Sequence, residues 1–245
     1  MTVEISLAGR TVLVTGGTRG VGAGIAEVFT RAGAAVVVCG RTAPAAPPPR
    51  GITFLPADVR EPAQVGALLA EVLRRHGSLD VLVNNAGGAP PADTLGASMS
   101  FHDKVIRLNL LAPLLVSTLA LPELRRAGGS VVMVSSVSAR RPAPGAAAYA
   151  AAKAGLDNLT ATLAVEFAPS VRVNSVTVGP VRTAAAEEHY GDGTSVAATV
   201  PLGRLAEPED VGHACLFLAS PLAAHITGSA VTVDGGGESP SYRRR

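Results

Sequence analysis

The sequence predicts an α/β fold: one doubly wound parallel sheet of about seven strands, with helices on both faces, in a single domain spanning residues 1–245. Short runs that are apolar throughout, without alternation, are typical of strands covered on both faces. Segments of helical length, with apolar residues at helical spacing, lie between these runs, and this alternation builds βαβ units. The predicted strands are Thr11–Thr15, Ala34–Cys39, Ile52–Leu55, Val81–Val83, Val131–Val134, Val171–Val176 and Ala230–Val233.

Two helices have recognisable ends in the sequence. Pro62–His76 starts with a proline, which suits a first helical turn, and is followed by Gly77, which suits a helix end. Pro208–Ala219 begins in the same way. Glu209 and Asp210 lie in its first turn, where carboxylates interact favourably with the helix dipole. The sequence therefore predicts helices over these two ranges.

Two irregular stretches interrupt the alternation. Ala43–Arg50 is rich in alanine and proline, which excludes a helix or a central strand and predicts a surface loop. Thr183–Pro201 is long for a connection in a compact domain, and loops of that length are usually lids or binding loops. We therefore predict a substrate lid over 183–201, in which His189 and Tyr190 either touch substrate or are exposed residues without a role. The tail, Ser239–Arg245, is predicted to be a solvated end.

Composition and charge exclude several classes of protein. The 21 basic and 19 acidic residues give a net charge of +2, which argues against a dedicated nucleic-acid binder. Cys39 and Cys215 cannot build a disulfide framework, and neither has a metal-ligand spacing, so no metal site is predicted. The N-terminus lacks a signal-peptide pattern, and the most apolar run, Leu108–Leu121, contains Asn109 and Pro113, which predicts a buried helix and not a membrane span. We expect a cytoplasmic protein that binds neither nucleic acid nor membrane.

A glycine-rich turn follows the first predicted strand. Thr15–Gly22 (TGGTRGVG) runs directly into a helical pattern. Glycines there permit a tight turn and a close approach of the backbone to a pyrophosphate, whose charge the free N–H groups at the helix start stabilise. Placed between a strand and a helix, such a turn predicts a dinucleotide site, with a purely structural turn as the alternative.

The segment after the second strand bears on which nicotinamide cofactor binds. Sites for NAD(H) usually place an acidic residue there, which binds the ribose 2′-hydroxyl. This chain has Cys39–Thr42 (CGRT) instead. Arg41 and Arg19 could both reach a 2′-phosphate, which guanidinium groups bind in a bidentate manner. We therefore predict NADP(H) over NAD(H), with ordinary surface charges as the alternative for either arginine.

Lysine and tyrosine are scarce in this chain, and one of each forms a pair. Only two of the 21 basic residues are lysines, and three residues are tyrosines. Tyr149 and Lys153 are four residues apart in a helical pattern, which places them on one face, one turn apart. An ammonium group near a phenol lowers the phenol pKa, so the pair can protonate an alkoxide or deprotonate an alcohol. Ser136, at a strand end, could polarise a carbonyl oxygen; Ser135 competes for that role, since adjacent strand residues face opposite ways.

In these motifs the chain resembles the short-chain dehydrogenase/reductase superfamily, in its single-domain branch of about this length, which has a Rossmann-like sheet. The resemblance runs from Leu7 to Gly237. The three-residue gap between Tyr149 and Lys153 disfavours the family's enoyl-reductase pattern. The family's signatures occur in its order: TGGTRGVG at Thr15–Gly22, Asp58–Val59, NNAG at Asn84–Gly87, Asn109, Ser136, Tyr149-x-x-x-Lys153, and Asn174 with VGPVRT at Val178–Thr183.

The resemblance implies an activity and a set of roles. The activity is hydride transfer between a nicotinamide cofactor and a ketone, an aldehyde or a secondary alcohol. The implied catalytic set is Tyr149 as general acid/base, Ser136 orienting the substrate oxygen, Lys153 binding the nicotinamide ribose and lowering the Tyr149 pKa, and Asn109 holding a water of the proton relay. The implied cofactor-binding set is Gly16, Thr18, Arg19, Gly20, Val21, Gly22, Arg41, Asp58, Val59, Asn85, Ala86, Gly87, Tyr149, Lys153, Gly179, Val181 and Thr183.

Several alternatives stay open. The family commonly has Pro-Gly after the sixth strand, where this chain has Val178–Gly179, so the backbone over the nicotinamide is expected to differ. Asn109 could simply cap or kink its helix. A 3-oxoacyl-carrier-protein reductase is the alternative enzyme, with Arg140 and Arg141 as a basic patch for an acidic carrier, and a non-catalytic NADP-binding sensor is the alternative of another class. The resemblance also implies a homotetramer or a homodimer, with helices around Asn109 and Tyr149–Phe167 as interfaces. The physiological substrate does not follow from the sequence.

Overall fold

A single sheet of seven strands forms the centre of the computed structural model, which describes residues 5–184, 186 and 193–237. The strands are β1 Thr11–Thr15, β2 Ala35–Gly40, β3 Ile52–Pro56, β4 Val81–Asn84, β5 Ser130–Ser136, β6 Arg172–Val178 and β7 Ala230–Val233. They lie side by side in the order β3-β2-β1-β4-β5-β6-β7, and every neighbouring pair is parallel. The predicted parallel sheet is confirmed.

Helices cover both faces of the sheet, as the doubly wound prediction requires. The helices with described bounds are α1 Gly20–Arg31, α2 Pro62–His76, α3 Met99–Ile106, α4 Ala112–Ala127, α5 Ala147–Glu166, α6 Thr194–Ala197 and α7 Pro208–Ala219. Apolar side chains of α1 and α7 share one core cluster with one face of the sheet. Those of α2, α4 and α5 share a second cluster with the other face. α2 and α7 begin and end at the predicted residues.

Strand lengths and edges depart modestly from the sequence pattern. β5 and β6 each continue two residues beyond the predicted carboxyl end, to Ser136 and Val178, while the other strands end within one residue of the prediction. Both extensions bring side chains to the edge of the sheet where the site lies. β7 is exposed or half-buried along its length, because only β6 flanks it. The expectation of strands covered on both faces therefore fails at this outer strand.

The apolar stretch that includes Leu108–Leu121 forms part of one long helical segment. A π-helical turn, Arg107–Leu111, joins α3 to α4. By length and composition, the combined stretch Met99–Ala127 is apolar enough to cross a membrane, and core helices pass the same test. Its inner side lies in the core cluster shared with α2 and α5. Leu114 and Leu119 are 37% and 39% exposed, so the predicted buried helix is buried on one side only.

Candidate active site

The glycine-rich turn lies where the strand order reverses, between β1 and β4. Open parallel sheets bind ligands at such a point, at the carboxyl ends of their strands. The turn leads from β1 into α1, which begins at Gly20. Arg19, the residue before the helix, has an extended backbone and makes no capping hydrogen bond with its side chain. The first N–H groups of α1 therefore lack a cap from this residue, as an anion site at a helix start requires.

The turn packs closely against the loop after β4 and is hydrogen-bonded to it. Gly16 has a φ of 64°, and a Cβ there would lie 2.9 Å from the Cα of Ala86. A Cβ on Gly22 would lie 2.3 Å from the carbonyl oxygen of Gly16. The side-chain amide of Asn85 donates to the backbone oxygens of Thr15 and Gly16 at 2.9 and 3.1 Å. Glycine is thus required at both positions, because a side chain at either one would clash with the turn itself or with the loop after β4.

The two arginines predicted to bind a 2′-phosphate belong to adjacent segments. Thr18 of the turn lies beside the end of β2, since a Cβ on Gly40 would be 3.7 Å from Thr18 Oγ1. Thr18 therefore lies close to Gly40. Arg19 and Arg41, the residues that follow these two, start from neighbouring points of the backbone. Both arginines are exposed, and neither makes a hydrogen bond or an ion pair with the part of the chain that the structure describes.

Asp58 is held by an arginine that the sequence patterns do not single out. Arg60 donates Nε to Oδ1 of Asp58 at 2.9 Å and Nη2 to Oδ2 at 2.6 Å. The hydrogen bond from Arg60 is the main cause that lowers the pKa of Asp58; burial opposes it, and the charge of Arg41 adds to it. The side chain of the next residue, Val59, packs into the core, so any contact of Val59 with a base would come from its backbone.

Tyr149 and Lys153 lie together at the start of α5. The Nζ atom of Lys153 lies 5.6 Å from the centre of the Tyr149 ring and donates a hydrogen bond to the carbonyl oxygen of Val134 at 2.8 Å. Lys153 is only 4% exposed. Burial lowers its pKa to about 8, and the negative charge of Asp157, one turn further along the helix, opposes that shift. The predicted pair thus combines a phenol with a desolvated ammonium group.

Asn109 lies in the π-helical turn and is fully buried. Its Oδ1 accepts a hydrogen bond from the N–H of Gly88 at 2.8 Å, and its Nδ2 donates to the carbonyl oxygens of Gly88 and Val105 at 3.0 and 2.9 Å. A Cβ on Gly87 would lie 2.6 Å from Asn109 Oδ1 and 3.3 Å from Lys153 Nζ. The loop after β4 therefore packs between the side chains of Asn109 and Lys153. The amide ties this loop to its helical segment, a role that differs from the helix cap or kink left open by the sequence.

Of the two serines at the end of β5, Ser136 is the more accessible. Ser136 is 9% exposed, and its Oγ accepts a hydrogen bond from the backbone N–H of Ser138 at 3.2 Å. Ser135 is 3% exposed, and its Oγ is buried without a hydrogen-bond partner among the described residues. The residue that the family resemblance implies, Ser136, is thus also the more exposed of the two.

The segment after β6 reaches the glycine turn through one residue. A Cβ on Gly20 would lie 3.5 Å from Cγ2 of Thr183, so this threonine packs over the turn. Val181 is 8% exposed, and its side chain packs into the core cluster shared with α1 and α7. Gly179 faces Asp234, where a Cβ would lie 2.7 Å from the Cβ of the aspartate.

The predicted lid over 183–201 is described only in part, and includes α6. Arg182, directly before it, forms an ion pair with Glu207, six residues after its end, in which Arg182 Nε lies 3.0 Å from Glu207 Oε1. The sequence candidates outside the described residues are His189, Tyr190 and the tail Ser239–Arg245.

A small apolar pocket borders Tyr149. Alanine, proline and glycine residues of the loop after β4 and of the start of α5 form most of its wall, with Phe101, His102 and Val105 contributed by α3. The sequence patterns gave no signal for the α3 part of this wall. Among the described residues that line it, His102 is the one ionisable group besides the tyrosine.

Comparisons with known proteins identify the family of this chain. A family model described as "Enoyl-(Acyl carrier protein) reductase" matches residues 16–238. Oxidoreductase UcpA of Escherichia coli O157:H7 is 37% identical over 260 residues, covering 96% of each chain. L-fucose dehydrogenase of Bos taurus is 37% identical over 253 residues, covering 97% of this chain and 93% of the other. The ligand-free structure of Thermoplasma acidophilum aldohexose dehydrogenase superposes with a TM-score of 0.88 at 32% identity, covering 94% of each chain. The chain therefore belongs to the short-chain dehydrogenase/reductase family and is an oxidoreductase.

Proposed function

We propose that this protein is an NADP(H)-dependent oxidoreductase that interconverts a ketone or aldehyde and an alcohol, with Tyr149 as general acid/base. The buried ammonium of Lys153, 5.6 Å from the ring centre of Tyr149, carries the proposal. An ammonium group held near a phenol favours the phenolate, so the phenol can exchange protons near neutral pH. The pair lies at the same edge of the sheet as the glycine-rich turn, as hydride transfer to a bound carbonyl would require.

The residues of the chain fit a nicotinamide dinucleotide. Gly16 and Gly22 have no room for a Cβ, and glycines in a turn of this kind let the backbone approach a pyrophosphate closely. Arg41 and Arg19 offer two exposed guanidinium groups to a 2′-phosphate, and no acidic residue directly follows β2. When bound, the cofactor supplies or accepts the hydride. The residues proposed to hold it are the turn 16–22, Arg41, Asp58, Asn85, Ala86, Gly87, Lys153 and Thr183, with Val59, Gly179 and Val181 contributing through their backbone.

The proton chemistry falls to four residues. Tyr149 donates its phenolic proton to the substrate oxygen in the reducing direction and accepts it in the oxidising direction. Lys153, with a pKa that burial lowers to about 8, is mostly protonated at neutral pH and stabilises the phenolate. Ser136 orients the substrate oxygen through its hydroxyl, and Asn109 holds a water of the proton relay beside Lys153.

Steady-state kinetics with both cofactors test the proposal. We expect kcat/KM for NADPH to exceed that for NADH by at least about tenfold, since charge-assisted hydrogen bonds to the 2′-phosphate strengthen NADPH binding alone. Arg41→Ala should reduce this preference. Arg31→Ala, at an exposed arginine near the carboxyl end of α1, is the matched control and should leave the preference unchanged. A clear preference of the wild type for NADH would contradict the proposed cofactor.

The same assay, run over a panel of carbonyl compounds, separates the alternative functions. The panel includes ketones, quinones, keto-esters, acyl and enoyl thioesters, and sugars, because two relatives are named for L-fucose and aldohexose. Turnover confined to 3-oxoacyl thioesters would favour the carrier-protein reductase. NADPH binding without oxidation across the panel would favour a sensor and contradict the proposed activity.

The partner that the surface favours is a second copy of the chain, in a homotetramer or a homodimer. Leu111, Leu114 and Leu119 are exposed on the π-helical turn and α4, and Val165 is 79% exposed on α5. Large apolar side chains clustered on the surface mark protein interfaces. We expect sedimentation velocity at micromolar concentration to show a dimer or a tetramer, and Leu114→Asp to weaken it; a stable wild-type monomer would contradict this.

The cytoplasmic location and the lack of nucleic-acid and membrane partners stay predictions.

A further inference from the structure

Asp58 and Arg60 form a two-pronged ion pair beyond the end of β3. The side-chain distances are 2.9 Å from Nε to Oδ1 and 2.6 Å from Nη2 to Oδ2, and the backbone N–H of Arg60 also donates to Oδ1 at 3.0 Å. Two parallel N–H···O bonds fix the plane of a carboxylate as well as its distance. The Asp58 carboxylate is therefore held in one orientation by one guanidinium group.

Arg41 approaches the same edge of the sheet from the neighbouring strand. β2 and β3 are parallel, with Gly40 opposite Pro56, so Arg41 lies one residue and Asp58 two residues beyond a pair of opposed positions. Arg41 is close enough that its charge contributes to lowering the pKa of Asp58. Arg41 nevertheless forms no ion pair with the described residues, and the carboxylate beside it is bound to Arg60.

An Asp58 carboxylate that is not bound to Arg60 would weaken phosphate binding in two ways. It would pair with Arg41, and its charge would repel a 2′-phosphate placed there. We propose that Arg60 is a positioning residue that determines cofactor specificity through Asp58: by binding both carboxylate oxygens, it leaves the Arg41 guanidinium available to the 2′-phosphate of NADP(H). The proposal rests on the proposed use of NADP(H). This role of Arg60 explains how an acidic residue, Asp58, can lie beside a site that binds a phosphate.

Binding measurements without turnover test this role. Isothermal titration calorimetry gives the Kd of NADPH and of NADH for the wild type and for Arg60→Ala. We expect Arg60→Ala to weaken NADPH binding about fivefold and NADH binding less than about twofold, because only NADPH carries the 2′-phosphate and the site is partly exposed to solvent. Arg60→Lys should give an intermediate loss, since an ammonium group cannot bind both oxygens in the plane of the carboxylate.

A matched control and a second background show how Arg60 acts. Arg74→Ala removes a similar two-pronged ion pair, with Glu71 on α2, and should change neither Kd. In an Asp58→Asn background, Arg60→Ala should no longer change the ratio of the two Kd values, because the carboxylate that it restrains is gone.

The outcomes that overturn the proposal are distinct from failure of the proposed cofactor. An equal loss of NADPH and NADH affinity in both Arg60 variants would show that Arg60 only supports the adenine end of the site. If Arg60→Ala reduced the preference for NADPH over NADH equally in the wild-type and the Asp58→Asn backgrounds, Arg60 would bind the phosphate itself. An unchanged ratio in Arg60→Ala would show that it does not affect specificity. A wild type that binds NADH more tightly would instead refute the cofactor assignment.

Discussion

Replacing Tyr149 by phenylalanine is expected to lower kcat by at least about 100-fold, because the phenolic hydroxyl is the proposed proton donor. The phenylalanine ring keeps the apolar surface that the tyrosine presents to the pocket beside α3. The glycine-rich turn and the arginines proposed to hold the cofactor are untouched, so we expect the Kd of NADPH to change by less than about twofold. Steady-state kinetics with the best substrate of the panel, and calorimetry with NADPH, measure the two quantities.

The adjacent serines at the end of β5 provide an internal control for this result. Ser136→Ala should lower kcat by about tenfold or more, since it removes a hydrogen bond to the substrate oxygen. Ser135→Ala removes a hydroxyl that is buried without a partner in the described structure and should leave kcat nearly unchanged. If Tyr149→Phe kept a near-wild-type kcat on a true substrate, the proton donor would lie elsewhere and the mechanism would be wrong.

The fold could be predicted because the sheet is buried on both faces over most of its width. Parallel strands in that setting are continuous apolar runs, which is why β1 and β4 are recognisable without knowledge of their partners. The carboxyl ends of β5 and β6 were harder to place, since serine and threonine there replace the apolar signal. The strand order itself depends on contacts between segments far apart in the chain, which local patterns do not record.

The site was predictable where its chemistry requires a rare residue at a fixed spacing. Tyr149 and Lys153 belong to that class, because helical geometry alone places them on one face. Arg60 does not, since an arginine two residues after an aspartate reads as an ordinary surface charge until the two-pronged contact is seen. The packing of Gly87 between Asn109 and Lys153 could not be predicted from the sequence, because it brings a loop against two different helical segments.

Lys153→Met is expected to abolish turnover and, at the same time, to stabilise the cofactor-free protein at pH 7. Burial lowers the pKa of Lys153 from 10.5 to about 8, so folding removes a charged ammonium group from water. A shift of that size corresponds to an unfavourable contribution of about 3 kcal/mol to folding. Methionine has a similar length and no charge, but leaves the carbonyl of Val134 without its N–H partner, which offsets about 1–2 kcal/mol. We therefore expect a net gain of about 1–2 kcal/mol in the free energy of unfolding.

The pH dependence of stability distinguishes this cause from a general packing effect. Because the folded pKa lies below the unfolded one, the unfolded chain binds more protons between about pH 8 and pH 10.5, and the stability contributed by this group rises with pH across that window. Below pH 8 both states are protonated and the penalty is complete. The advantage of Lys153→Met over the wild type, measured by chemical denaturation, should thus be largest below pH 8 and shrink towards pH 10.5. The one other lysine of the chain, Lys104, is exposed on α3, so Lys104→Met should alter neither stability nor kcat. A Lys153→Met protein that is less stable than the wild type at every pH would show that the lysine stabilises the fold, and its burial would then need no catalytic reason.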